Sequence, residues 1–276
     1  IRCKTKLALN FLNKIGVKKN HKIVCLVVRD NFYKENFSNN KNKYWNYHGY
    51  RNAEINSYIK TIKYLNNKGF FVIRMGKGSN KSALYHNHLY FDYSMSNHRS
   101  DFLDFWIFSR AYMAIVTGTG IDELCHVFKI PTVDTNYFPI GAIRSIRGAN
   151  ITIFKKIKET KKNKFLNLTK IINLKFFRYP SLVSKYKKYK IVDNTSNEIL
   201  YAAKELEFKI SMNFKSKRNE FKIQDLFWKN FKNSKFKTKL YSQDLWSNFE
   251  YVYKNRNIHN STVSNSFIKK NKWILK

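Results

Sequence analysis

Cysteine, proline, glycine and acid are all scarce in this chain of 276 residues. The three cysteines, Cys3, Cys25 and Cys125, are odd in number and widely spaced, and no Cys-x-x-Cys occurs. That excludes a disulfide framework and a zinc ribbon and fits a reduced compartment. Three prolines and nine glycines leave no Pro/Gly linker, and no internal repeat is present. Apolar runs are short, as at Ile23-Val24-Cys25-Leu26-Val27-Val28. A spanning helix needs roughly 20 such residues, so the segment reads as soluble. The first residue is Ile1, so we expect an upstream segment to be missing here, whether a signal peptide or a further domain.

Positive charge is abundant. The formal net charge is +35, carried by 42 lysines but only 11 arginines, beside 33 asparagines. Lys, Asn, Ile, Phe and Tyr rise together under an AT-rich coding bias, which adds lysine to any solvated face. A nucleic-acid reader would use more arginine, for its planar, two-pronged contacts. Composition therefore does not point to nucleic acid. The same bias makes the rarer residues informative. Arg29, Arg51, Arg74, Arg99 and Arg110 all fall early, and half of the 18 acids lie between Asp30 and Asp134. Candidate chemistry belongs there.

The hydrophobic pattern predicts a helix over 4–14, a buried strand from His21 to Val28, a long polar loop over 31–49 and a helix from Glu54 to Leu65. It then predicts strands at Phe70–Met75 and Leu89–Tyr93, a helix buried on nearly all sides over Ser100–Tyr112, and a strand at Met113–Val116. A turn at Thr117-Gly118-Thr119-Gly120, a helix from Ile121 to Phe128 and a strand at Pro131–Asp134 follow. This alternation predicts an α/β fold with a doubly wound, mostly parallel sheet. Asn194–Leu206 reads as a helix capped by Thr195 or Ser196. Residues 208–276, with apolar clusters at Phe227-Trp228 and Leu245-Trp246, are expected to be helical additions packed on the sheet. The expected domains are therefore 1–207, Rossmann-like, and 208–276, a helical extension.

Doubly wound sheets bind ligands beyond the carboxyl ends of their strands. Arg29-Asp30, Arg74 and the Thr/Gly turn all stand there. Arginine supplies the fixed charge and forked donors that a diphosphate needs. Asp30 could orient Arg29 or act as a base; the plainer alternative is a surface ion pair at the sheet edge. The Thr117–Gly120 turn is not the dinucleotide fingerprint, because Glu123 holds the third glycine position. Asp122 and Glu123 oppose a phosphate there and suit a sugar or ribose hydroxyl, or else simply cap a helix. Ser100, Asp101 and Asp104 read chiefly as a helix cap, with a ligand role for Ser100 or Asp101 as the second reading. Gly76-Lys77-Gly78-Ser79-Asn80-Lys81-Ser82 fails as a phosphate loop, since Asn80 stands where glycine is required. His86 and His88 lack a carboxylate at ligand spacing, so no metal site is expected. No G-x-S-x-G supports hydrolase chemistry.

The linked series Val28-Arg29-Asp30, Tyr50-Arg51-Asn52, Gly69–Gly76, Asp92-Tyr93-Ser94, Ser100–Asp104, Thr117–Asp122 and Pro131 resembles a family of bacterial glycosyltransferases associated with surface-carbohydrate gene clusters. More distantly it is similar to the fucosyltransferase group of GT-B, two-Rossmann architecture. The resemblance covers about residues 20–140. It implies that Arg29 holds the donor diphosphate and that Thr117, Gly118, Thr119, Gly120 and Asp122 line a nucleotide-sugar pocket, with the N-terminal acceptor domain lying outside this segment. Val27 departs from it, standing where a His-x-Arg pattern has histidine. The absence of Asp-x-Asp argues against a metal-dependent transferase. The resulting expectation is a metal-independent transferase without a cofactor. It would move a sugar from a nucleotide diphosphate sugar to a hydroxyl of a cell-surface glycan or lipid-linked acceptor, in the cytoplasm or against the inner face of the membrane. Arg29 and Asp30 would be catalytic; Arg74, Ser100, Asp101 and the turn would bind substrate. The alternative is a non-enzymatic basic module binding RNA or anionic membrane. Residues 154–190 would carry it, with the pairs Lys155-Lys156, Lys161-Lys162 and Lys187-Lys188.

Overall fold

The computed structural model describes residues 2–37, 49–142, 150–177, 179–212, 222–224, 226–227, 229 and 261–275. They divide into two compact units, residues 1–132 and 133–276, rather than at 207 as the composition suggested.

The first unit opens with α1 (Arg2–Lys14), β1 (Ile23–Val27), α2 (Phe32–Phe37), α3 (Ile59–Asn67) and β2 (Phe71–Met75). It continues with β3 (Tyr90–Asp92), α4 (Asp101–Phe108), β4 (Ala111–Val116) and α5 (Glu123–Val127). The strands lie in the order β4-β1-β2-β3. Each neighbouring pair is parallel, in registers such as Leu26 opposite Arg74 and Val24 opposite Met113. Strand residues alternate between faces. Cys25, Val27, Phe71, Ile73, Ala114 and Val116 face one way, into a core shared with Phe11 and Leu12 of α1, Ile107 and Phe108 of α4 and Cys125 of α5. Helix α3 packs against β2 and buries Ile62 and Leu65 on the other face. The unit is thus an α/β fold with a parallel sheet between helices. Cys25 and Cys125 are buried free thiols, and burial pushes that of Cys25 well up.

Three boundaries differ from the sequence reading, each for a local reason. Helix α4 stops at Phe108, not Tyr112, because Ser109 and Arg110 turn the chain and Ala111 is captured beside Ile23 of β1. Nor is α4 buried all round, since Phe105 is exposed. Helix α2 lies inside the expected loop, its first amide held by the Asp30 side chain; residues 38–48 of that loop lie outside the described residues. A 3-10 turn, Ile55–Tyr58, precedes α3 where a single helix was expected.

The second unit holds β5 (Thr132–Tyr137), β6 (Asn150–Phe154), β7 (Lys156–Glu159), β8 (Lys164–Phe165), α6 (Leu168–Asn173) and α7 (Pro180–Lys185). After these come β9 (Tyr189–Val192), α8 (Ser196–Ser211), β10 (Ser261–Val263) and α9 (Asn265–Lys270). Strands β10, β6 and β5 are neighbours in that order, with β10 parallel to β6. Strands β8-β7-β9 form a separate antiparallel sheet. The expected all-helical tail therefore contains a strand. Gln224 serves that strand as a surrogate partner, its side-chain amide donating to Val263 O at 2.6 Å and accepting from Val263 N at 3.2 Å. Of the predicted apolar clusters, Trp228, Leu245 and Trp246 lie outside the described residues.

Helix α8 starts as predicted. Thr195 and Glu198 form a reciprocal capping box, which satisfies two otherwise orphaned backbone amides. Glu198 also accepts from Lys156 Nζ at 2.8 Å and from Asn271 Nδ2 at 2.9 Å. Lys155 pairs with Asp193 at 2.6 Å. Lys155 and Lys156, read from sequence as part of a basic face, are thus buried structural cations; burial holds the Lys155 ammonium below the usual lysine range. Among the described residues, no helix is long and apolar enough to cross a membrane.

Candidate functional site

Strand β1 is a buried apolar run that ends in charge. As the chain leaves the sheet at Val28, Arg29 and Asp30 emerge at its carboxyl edge, each half-buried. Strand β4 ends beside it in Thr117, whose buried hydroxyl accepts from Arg29 N at 2.9 Å and donates to Val27 O at 3.3 Å. Thr117 therefore splices two strand ends, and its hydroxyl has no proton left to donate to a ligand. Gly118 follows with φ near +75°, a conformation that costs a side chain but not glycine.

The rest of the turn is closed from within. Thr119 donates from its amide to Asp122 Oδ2 at 2.5 Å and from its hydroxyl to Asp122 Oδ1 at 2.7 Å. Asp122 is only 3% exposed and makes no side-chain cap to α5. It stands at the N-cap position of α5, but its carboxylate turns back onto Thr119 and shapes the turn. Gly120 is the exposed crest, and a side chain added there would meet nothing within 4 Å.

The segment 49–53 lies against these two strand ends. Ala53 N donates to Arg29 O at 2.9 Å, and Asn52 accepts from Arg29 Nε at 3.4 Å while donating to Asn31 at 2.7 Å. Arg51 Nη2 donates to Gly118 O. Two guanidinium groups, Arg29 and Arg51, are thereby brought to one spot. The arginine ion pairs among the described residues are those of Arg74 and Arg99. Burial and then the Arg51 charge lower the Arg29 guanidinium to about 10, with Tyr50 and Asp122 opposing. Arg29 remains cationic at neutral pH. Arg51 and Asn52 were not among the predicted site residues. The usable signal was arginine standing out against a lysine background, but nothing in the spacing showed that residues 49–53 fold back onto β1.

Arg74 behaves differently. It is 1% exposed, with Nη1 donating to Asp92 Oδ2 at 2.9 Å and to Lys81 O at 2.6 Å, and Nη2 4.0 Å from Asp30 Oδ2. It pins the 76–82 loop to β3 and cannot present its fork to a substrate. Asp30 accepts the amides of Phe32 at 3.0 Å and Asn80 at 2.8 Å, one on each oxygen. It anchors α2 and the same loop, and so is poorly placed for the base role first considered. Phe32 in turn fills the space over Gly78, where an added Cβ would fall 2.0 Å from its ring.

Ser100 and Asp101 serve the start of α4. Ser100 Oγ accepts from Leu103 N at 3.2 Å, and Asp101 pairs with Arg99 at 2.6 Å. Arg99 also holds the buried Asp104 at 2.7 Å; burial nevertheless pushes that carboxyl up. The structure thus gathers Arg29, Thr117, Gly118, Thr119, Gly120 and Asp122, joins Asp30 to Arg74, and leaves Ser100 and Asp101 as a cap. Among the described residues, no group of three or more His, Cys, Asp or Glu could hold a metal ion. Comparison with family models, with curated proteins and with solved structures returned no match to this chain.

Proposed function

We propose that this chain contributes the donor-binding half of a glycosyltransferase, with the diphosphate of a nucleotide sugar held between Arg29 and Arg51. One observation carries the reading. Two like-charged guanidinium groups, partly buried, share the carboxyl edge of a parallel sheet, and the acid that acts on Arg29, Asp122, is turned onto Thr119. Such an arrangement is costly until an anion fills it, and forked donors suit phosphoryl oxygens. Edges of this kind are where α/β sheets take nucleotides.

In this reading the reaction needs no resident metal. Arg29 and Arg51 stabilise the charge that develops on the leaving diphosphate. The Gly118–Gly120 turn supplies a wall low enough for a nucleoside to approach. The sugar passes to a hydroxyl of a cell-surface glycan or glycolipid, and the GT-B arrangement would add a second domain for that acceptor. Asp30 acts as a positioning residue; no residue is assigned as the base.

Titration calorimetry with UDP-, GDP- and ADP-sugars tests this on wild type, Arg29→Ala, Arg51→Ala and, as a surface control, Arg110→Ala. We expect at least a tenfold loss of affinity for each of the first two and little change for the third. Absence of binding to all three donors, or affinity indifferent to Arg29 and Arg51, sinks the reading. The second reading, a non-enzymatic basic module, draws on a different part of the molecule, the small antiparallel sheet of the second unit.

A further inference from the structure

Lysine is not spread evenly along this chain. Residues 154–190 hold twelve lysines and Arg178 against a single acid, Glu159. Residues 49–142, more than twice as long, hold six lysines and four arginines against seven acids. A coding bias acts on the whole chain, so it does not account for this contrast.

The fold concentrates the excess further. The β7–β8 hairpin carries Lys161, Lys162 and Lys164 at its tip, all exposed. Thr160 N at that tip donates to Lys188 O at 2.8 Å, which brings the segment before β9 alongside, with Lys185, Lys187 and Lys188 exposed. Six lysines thus crowd one end of the small sheet. Glu159, the only acid of the stretch, is 3.8 Å from Lys162. Among them stands Tyr186, 45% exposed, its ring rooted on the buried Phe176 at 5.9 Å and on Tyr189 at 6.4 Å.

We propose that this end of the β8-β7-β9 sheet docks on an anionic phospholipid surface. Lysines attract acidic headgroups, each adding to the binding, and an exposed tyrosine with an anchored ring suits the headgroup layer. Single-stranded RNA fits less well. It would favour arginine and open aromatic faces for base stacking. Here Phe165 is already stacked on Trp273 at 5.1 Å, with Lys156 and Lys158 also over its ring. The proposal does not rest on the nucleotide-sugar reading, because its residues and its assay are separate.

The test is flotation of the whole chain with vesicles of phosphatidylcholine alone and of equal parts phosphatidylcholine and phosphatidylglycerol. We expect retention by the anionic vesicles only, weakening as salt rises. Lys187→Glu/Lys188→Glu should lower the partition coefficient about tenfold or more. Lys161→Glu/Lys162→Glu, a second variant on the other connection, should do the same if the first misfolds by circular dichroism. Lys60→Glu/Lys63→Glu makes the same charge change on α3 and should fall much less. The proposal is overturned if neutral and anionic vesicles are retained alike, if the α3 variant falls as far as the others, or if polyuridylate at equal phosphate concentration strips the chain from the vesicles.

Discussion

At the scale of single residues, this molecule puts its arginines to opposite uses. Arg74 is a buried cation held by the Asp92 carboxylate, whereas the half-buried Arg29 has a neutral side-chain partner, Asn52. Removing the first should be expensive. Arg74→Ala leaves Asp92 facing an empty, largely buried site, a class of change that costs about 3–5 kcal/mol; denaturant unfolding would read it. Arg29→Met should cost no stability at neutral pH. The folded-state guanidinium, lowered to about 10, binds its proton less tightly than the free side chain. Its contribution is therefore unfavourable below about pH 10 and is relieved as pH climbs from there toward the free side chain's range. A marked loss of stability in Arg29→Met at pH 7 would contradict the picture of a cation waiting for an anion. Diphosphate binding runs the other way and should fade as pH rises through about 10, because only the charged fork holds the ligand.

The sequence made Arg29 conspicuous for the right physical reason, an arginine ending an apolar strand. Arg74 looked equivalent on that criterion and is not, because burial depends on the 76–82 loop closing over it through Lys81 O and Asp30. Spacing put Asp122 at a helix start, where it stands as the N-cap residue of α5, but could not show that its carboxylate turns back onto Thr119.

At the scale of elements, legibility followed the clarity of the period. Helix α8 was visible because its cap and its apolar face agree, and β1, β2 and β4 because each is a short, mostly apolar run bounded by polar or turn residues. Strands β7 and β8 were not visible. Lys156-Ile157-Lys158-Glu159 resembles a solvated loop until Glu198 is seen to receive its first lysine. Strand β10 is three residues long and draws its partners from β6 and from Gln224, neither of which is near in sequence. The prediction at this scale concerns Glu198, which holds the cap of α8, Lys156 and Asn271 together. Glu198→Ala strands a buried ammonium and should cost about 3–5 kcal/mol, while the double change Lys156→Met/Glu198→Leu should cost clearly less. Equal losses would mean that the carboxylate matters as a cap alone.

At the scale of the whole molecule, the dominant quantity is a net charge of +35 on 276 residues. Self-repulsion of that size opposes the folded state and is screened when the Debye length shortens. The thermal midpoint should therefore climb as sodium chloride is raised from low to physiological strength, in scanning calorimetry without ligand. A midpoint indifferent to salt would indicate that bound counter-ions already offset the charge.

The Thr/Gly turn has a last consequence. Arg29 reaches it through its own amide to Thr117, and Arg51 through its side chain to Gly118. Both cations therefore hang from one short stretch of backbone, and whatever steadies them steadies it. In deuterated buffer, the amides of Arg29 and Thr119 should exchange as a pair, and an occupying anion should slow both clocks together while leaving the Lys170 amide at the start of α6 unaltered.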